Sequence, residues 1–255
     1  MGIIQTLILS AIEGITEFLP VSSTGHLILT SHVLSIEQTE FVKSFLIIIQ
    51  LGAILSVVTL YFRRLTNVKI WPKIIAGFIP SAVVGLLLYS FIKESLIGNI
   101  LVTVAALFVG GFAFIGIELW DRQREKSYDF KDLTTKKAFL IGLFQSISII
   151  PGVSRAGASI LGGLILGFNR KASTEFSFLL AVPTMLGATS LDVFKTRLNF
   201  SNSELVVLSI GFIASYLFAL LAVKFLIDYI KNHTFIAFGV YRIIIAIVFY
   251  LIFIS

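Results

Sequence analysis

The sequence predicts an all-α integral membrane protein of six transmembrane helices plus two re-entrant helical hairpins, arranged as an inverted-topology repeat. Three observations carry that expectation. The 255 residues are 57% hydrophobic and only 13% charged, with a mean hydropathy of +0.99, far above soluble domains. Charge-free runs of spanning length recur along the chain. Two breaks rich in Pro, Ser and Gly, "LPVSSTG" and "IPGVSRAG", each sit between apolar pieces too short to cross a bilayer.

The elements follow in order. Residues 1–12 and 27–36 flank the first break, and 138–150 and 156–168 flank the second. A bilayer core needs roughly 20 apolar residues, so pieces of about 10 to 14 suggest re-entrant segments. Broken backbone at membrane depth is tolerated only where it is buried in protein or lines a watery cavity, so both breaks are expected to face inward. Spans are expected at 44–62, 74–92, 97–117 and 205–223, with two more at 176–191 and at 234–255, where Arg242 interrupts the apolar run. The first residues lack a basic leader and a small-residue cleavage site, so the N-terminus is expected to be retained.

The chain repeats itself. "GFIPSAVVGLL" from Gly77 pairs with "GFIASYLFALL" from Gly211, "LGA" at Leu51 with "LGA" at Leu186, and Pro20 and Ser23 with Pro151 and Ser154. Residues 1–120 thus resemble residues 136–255 within a single membrane domain, joined by a linker at 121–137. Each half holds one hairpin and three spans, and an odd number of spans turns the second half upside down. On this topology thirteen Lys and Arg fall on the linker's side: six in the linker, with Arg63, Arg64, Lys69, Lys73, Arg170, Lys171 and Lys231. Lys43, Lys93, Lys195 and Arg197 lie opposite, which places the linker in the cytoplasm and the mouth of the first hairpin at the outer face. The net charge of +6 therefore records membrane orientation, and no nucleic-acid partner is expected. With no cysteine, a nucleophile must be an oxygen or nitrogen group.

Ionisable groups at membrane depth cost about 2.5–3.5 kcal/mol each on insertion scales. Glu13, Glu17, His26, Arg155 and Arg242 therefore call for a shared polar cavity. Glu13 and Glu17 stack on one helix face before Pro20, and Ser22, Ser23 or Thr24 can cap the helix that follows. His26, three residues after Ser23, shares that helix's first turn. In the second break Gly152, Ser154 and Arg155 form a small-residue turn opening a helix, whose N–H groups favour an anion while Arg adds a bidentate fork for phosphate. Bringing the two tips together would build one anion site.

Plainer readings compete. Hydroxyls after a proline also make a simple helix cap, and Arg242 suits a structural counter-ion for Glu13 or Glu17 as well as a ligand contact. His32 and His233 are read as structural, Glu118 and Glu175 as interfacial, and "VGGF" and "LGGLILG" as close helix packing.

These motifs are similar to those of the undecaprenyl-diphosphatase family, also called bacitracin-resistance proteins. "EGITEFLPVSSTGH" resembles the family's first signature and "PGVSRAG" its second, with "EFSFLLAVP" at Glu175 and "YR" at Tyr241 as further points of likeness. Ala156 departs from the family's usual Ser. The resemblance implies hydrolysis of undecaprenyl diphosphate to undecaprenyl phosphate at the outer face of a bacterial plasma membrane, bacitracin resistance, and help from a divalent cation, Mg²⁺ or Ca²⁺. The oligomeric state is left open, a homodimer included.

The expected mechanism has Ser23 attacking the distal phosphorus, His26 taking its proton and Glu17 orienting the imidazole. Arg155 clamps the phosphate, Glu13 and Glu17 face the metal, and Ser22, Thr24, Gly152, Ser154 and Arg242 contact substrate. His26 as nucleophile stays open. The chief rival is a lipid-phosphate transporter or flippase, because broken helices meeting at mid-membrane are also a transporter plan. An intramembrane protease is a third reading, but no HExxH motif occurs in the chain.

Overall fold

The computed structural model describes residues 1–37, 39–88, 96, 99–121, 127–195 and 200–254. The end of the 74–92 run, the start of the 97–117 run, linker residues 122–126 and Ser255 lie outside the described residues. So do Lys93, Arg197 and the side chain of Lys195 in the loop-charge count.

Ten principal helices are described: α1 Ile3–Thr16, α2 Ser23–Val33, α3 Glu40–Leu60, α4 Trp71–Leu87, α5 Ile100–Asp121, α6 Thr135–Ser146, α7 Arg155–Ile165, α8 Arg170–Lys195, α9 Asn202–Asn232 and α10 Ile236–Phe253. Their starts follow local chemistry. Thr39 accepts the N–H of Val42, Thr134 that of Lys137, and Ser201 forms a reciprocal cap with Glu204, each satisfying donors that a helix start leaves orphaned. The four pieces expected to be short are short: α1, α2, α6 and α7 have 14, 11, 12 and 11 residues.

Among the described residues five helical stretches are long and apolar enough to cross a membrane: Glu40–Leu60, Val68–Leu87, Ile100–Asp121, Asn202–Asn232 and Ile236–Phe253. The chain is a multi-pass membrane protein. The expected span at 176–191 lies in α8, whose 26 residues exceed a bilayer core in length but are less apolar. The reason is position. Ser173, Thr174, Glu175 and Ser177 are all buried against protein, so this helix runs through the centre of the bundle instead of along its lipid face.

Lipid tails are as apolar as leucine, so burying leucine away from them brings little, and membrane helices associate through close packing and internal hydrogen bonds. The distribution of residues agrees. Leu86, Leu87, Ile244, Leu251 and Ile252 face outward, while Ser10, Ser56, Thr103, Ser159 and Ser215 are buried. Glycines mark the close approaches, as expected of both Gly-rich runs: Gly111 meets Gly239 where α5 crosses α10, Gly162 lies against Phe144 of α6, and Gly163 against Ser173 of α8.

Two acidic residues read as interfacial are instead buried ion-pair partners. Glu118 is fully buried, takes three hydrogen bonds from Arg170 at 2.6–3.1 Å and accepts the N–H of Phe235. Glu175 pairs with Arg64 at 2.9 Å, not with Lys171. Both pairs lie at the basic end of the bundle and tie α8 to its neighbours there.

Candidate active site

The first hairpin turns between Glu17, which ends α1, and Ser23, which opens α2. Phe18 anchors the turn, fully buried edge-on against Phe178 of α8 at 5.4 Å. Ser22 carries the reversal, with φ +74°, and its hydroxyl accepts the Gly25 N–H at 3.4 Å. A non-glycine residue there stores roughly 1–3 kcal/mol of strain, a cost met mostly at functional sites. In the second hairpin Gly152 takes the same part, with φ +92°, and a Cβ there would strike the Thr103 backbone. Ser154 then caps α7 through the Gly157 N–H at 3.0 Å, leaving Arg155 as its first helical residue.

The two tips meet. Ser23 Oγ donates to Glu17 Oε2 at 2.5 Å, and Arg155 Nη2 donates to Glu17 Oε1 at 2.8 Å across 138 residues of sequence. One carboxylate therefore joins a hydroxyl of the first hairpin to a guanidinium of the second. Arg155 Nη1 also donates to the Ser177 carbonyl at 3.0 Å, while its buried Nε has no hydrogen-bond partner among the described residues. Glu13, one turn before Glu17, is fully buried with its carboxyl beside that of Glu17, and neither of its oxygens accepts a hydrogen bond from a donor among the described residues. Orphaned donors and acceptors of this kind are costly in a dry interior and mark places prepared for a bound group.

Arg242 lies behind both tips, 2% exposed. Its guanidinium donates to the carbonyls of Pro20 at 3.2 Å, Gly152 at 3.0 Å, Ala106 at 3.2 Å and Leu107 at 3.4 Å. It is a staple between the turns, and the expectation of a counter-ion for Glu13 or Glu17 is corrected: its partners are carbonyls. Gly110 makes room for it, since a Cβ there would meet the guanidinium.

His26 also departs from the expected triad. Its Nδ1 lies 2.8 Å from the Ser22 carbonyl and its Nε2 2.7 Å from the Tyr241 hydroxyl, so neither nitrogen bonds to Ser23 or Glu17. The physical reason is the turn itself. The left-handed Ser22 aims its carbonyl at the imidazole and leaves Ser23 facing back along α1. The pair His26 and Tyr241 is partly exposed, as is Thr24, while Ser22, Ser23, Glu17 and Ser154 are buried. The sequence offers Tyr241 only as a point of likeness. An aromatic residue 215 positions from His26 in an apolar helix gives no local signal of the contact.

Residues 6–248 match the family described as "Bacitracin resistance protein BacA". The chain is 51% identical to an undecaprenyl-diphosphatase of Aquifex aeolicus over 246 residues, covering 96% of each. It is 48% identical to the undecaprenyl-diphosphatases of a Sulfurihydrogenibium species, over 98% of this chain and 99% of the relative, and of a Campylobacter jejuni strain, over 99% and 95%.

Proposed function

This chain belongs to the bacitracin resistance protein BacA family, and from that premise we propose that it hydrolyses undecaprenyl diphosphate to undecaprenyl phosphate and inorganic phosphate. The observation that carries the chemistry is the Ser23–Glu17–Arg155 chain of contacts. Ser23 Oγ attacks the terminal phosphorus while Glu17 Oε2 takes its proton. The bond from that phosphorus to the bridging oxygen breaks, undecaprenyl phosphate leaves, and the phosphoryl group stays on Ser23. Water then attacks the phosphoserine while His26 Nε2 receives the water's proton; the Oγ–P bond breaks, Glu17 returns its proton to Ser23 Oγ, and inorganic phosphate departs. Arg155, with a spare buried N–H, holds the equatorial oxygens, and the N-termini of α2 and α7 would add positive dipole ends to the same charge. Ser22, Thr24, Gly152 and Ser154 would contact the diphosphate here, with Arg242 holding the two turns behind it.

Glu13 and Glu17 offer hard carboxylate oxygens side by side, those of Glu13 accepting from no donor among the described residues, which suits Mg²⁺ or Ca²⁺. Bound there, the cation would neutralise charge on the diphosphate.

We place the sixth span in α8 and read the whole as an inverted repeat of residues 1–120 and 136–255. Packing supports this by pairing under exchange of the halves. α1 packs on α9 as α6 packs on α4, and α3 packs on α9 as α8 packs on α4. Gly77 faces Phe176 and Leu180, while Gly211 faces Phe45 and Ile49. The loop charges favour a cytoplasmic linker and a site opening outward in the bacterial plasma membrane.

Purified protein should release phosphate from a polyprenyl diphosphate, less so with chelator, and rapid acid quench should trap an acid-stable phosphoserine. An acid-labile phosphohistidine would move the attack to His26. Lipid binding without phosphate release would bring the transporter forward.

A further inference from the structure

The mechanism above leaves the tyrosine beside His26 unused. The Ser22 carbonyl has no proton to give, so the bond at His26 Nδ1 requires that nitrogen to carry the hydrogen. In the neutral imidazole Nε2 then holds a lone pair, and the Tyr241 hydroxyl, 2.7 Å away, must be the donor. The rings lie in nearly parallel planes, 7° apart, with centroids at 5.6 Å, so the pair is held by ring contact as well as by the hydroxyl. Tyr241 is adjacent to Arg242, which is fixed by four carbonyls, so the tyrosine is placed by the same helix turn that holds both hairpin tips. At 39% exposure it sits at the mouth of the site, where the donor on Nε2 can be displaced by water.

We infer that Tyr241 is a positioning residue that fixes His26 in the tautomer with a bare Nε2 at the mouth of the site. Its consequence for turnover rests on the reading of His26 as the base of the second step. The tautomer itself rests only on the geometry.

The test is Tyr241→Phe, which keeps the ring and removes only the donor. In ¹⁵N-histidine-labelled protein, assigned with His26→Gln, the wild type should show Nδ1 protonated and Nε2 bare, and the variant should shift the Nε2 resonance. A wild-type spectrum with Nε2 protonated, or an Nε2 resonance unmoved in the variant, overturns the inference whether or not the protein proves to be a phosphatase. On a polyprenyl diphosphate the variant should lose about three- to tenfold in kcat, the size of one hydrogen bond, with KM within about twofold. An unchanged kcat, or a loss confined to KM, would remove Tyr241 from the catalytic cycle.

Discussion

The two hairpin tips are built alike and carry different chemistry. Each turns on one residue of positive φ, Ser22 or Gly152, and each opens its second helix with a capping serine hydroxyl three residues before a glycine N–H, Ser22 to Gly25 and Ser154 to Gly157. The first tip then presents a hydroxyl, a carboxylate and an imidazole, the second a guanidinium. On the proposed mechanism these two similar turns would give the two halves of a phosphoryl-transfer site, one to attack and one to hold charge. The difference in the turning residue is instructive. Gly152 is pressed against the Thr103 backbone and has no room for a side chain, whereas Ser22 keeps its Cβ in a strained conformation and uses both its hydroxyl and its carbonyl.

Substitutions can break that division of labour. Ser23→Ala should remove the attacking group and lower kcat by at least about 10³-fold while leaving the fold intact, measured as phosphate release beside thermal unfolding in detergent. A mere tenfold loss would take Ser23 out of the nucleophile's place. Arg242→Met strands four carbonyls that a guanidinium now satisfies, and should cost about 3 kcal/mol of stability together with most activity, because both tips lose their register. Arg155→Lys keeps the charge but cannot reach Glu17 and the Ser177 carbonyl together, so a loss of about 10²-fold in kcat with near-normal stability is expected. The smallest contrast is the sharpest for the comparison itself. Gly152→Ala should destabilise by about 1–3 kcal/mol, whereas Ser22→Gly relieves strain and should leave stability within about 1 kcal/mol of wild type. Equal losses in the two would mean that the turns are not equivalent.

Much of this was legible in the chain. Apolarity marked the membrane, segment length separated the short helices from the long ones, and charge placed inside apolar runs picked out Glu13, Glu17, His26, Arg155 and Arg242. Those signals are local, so one sequence carries them. α8 was harder to read, because a helix buried among other helices can keep serines, threonines and a carboxylate that a lipid-facing span cannot, and hydropathy alone does not distinguish the two settings.

What the sequence by itself determined is therefore the class of environment and the set of groups that must meet, since the cost of burying charge in a bilayer core depends only on residue type and depth. Which atom meets which was decided by the tertiary structure. Ser23 gives its hydrogen to Glu17 and not to His26, Arg242 holds carbonyls and not a carboxylate, Glu118 finds Arg170, and Tyr241 reaches His26. Hydrogen bonds act over about 3 Å, and a periodicity that places a residue on a face says nothing of a partner more than a hundred residues away.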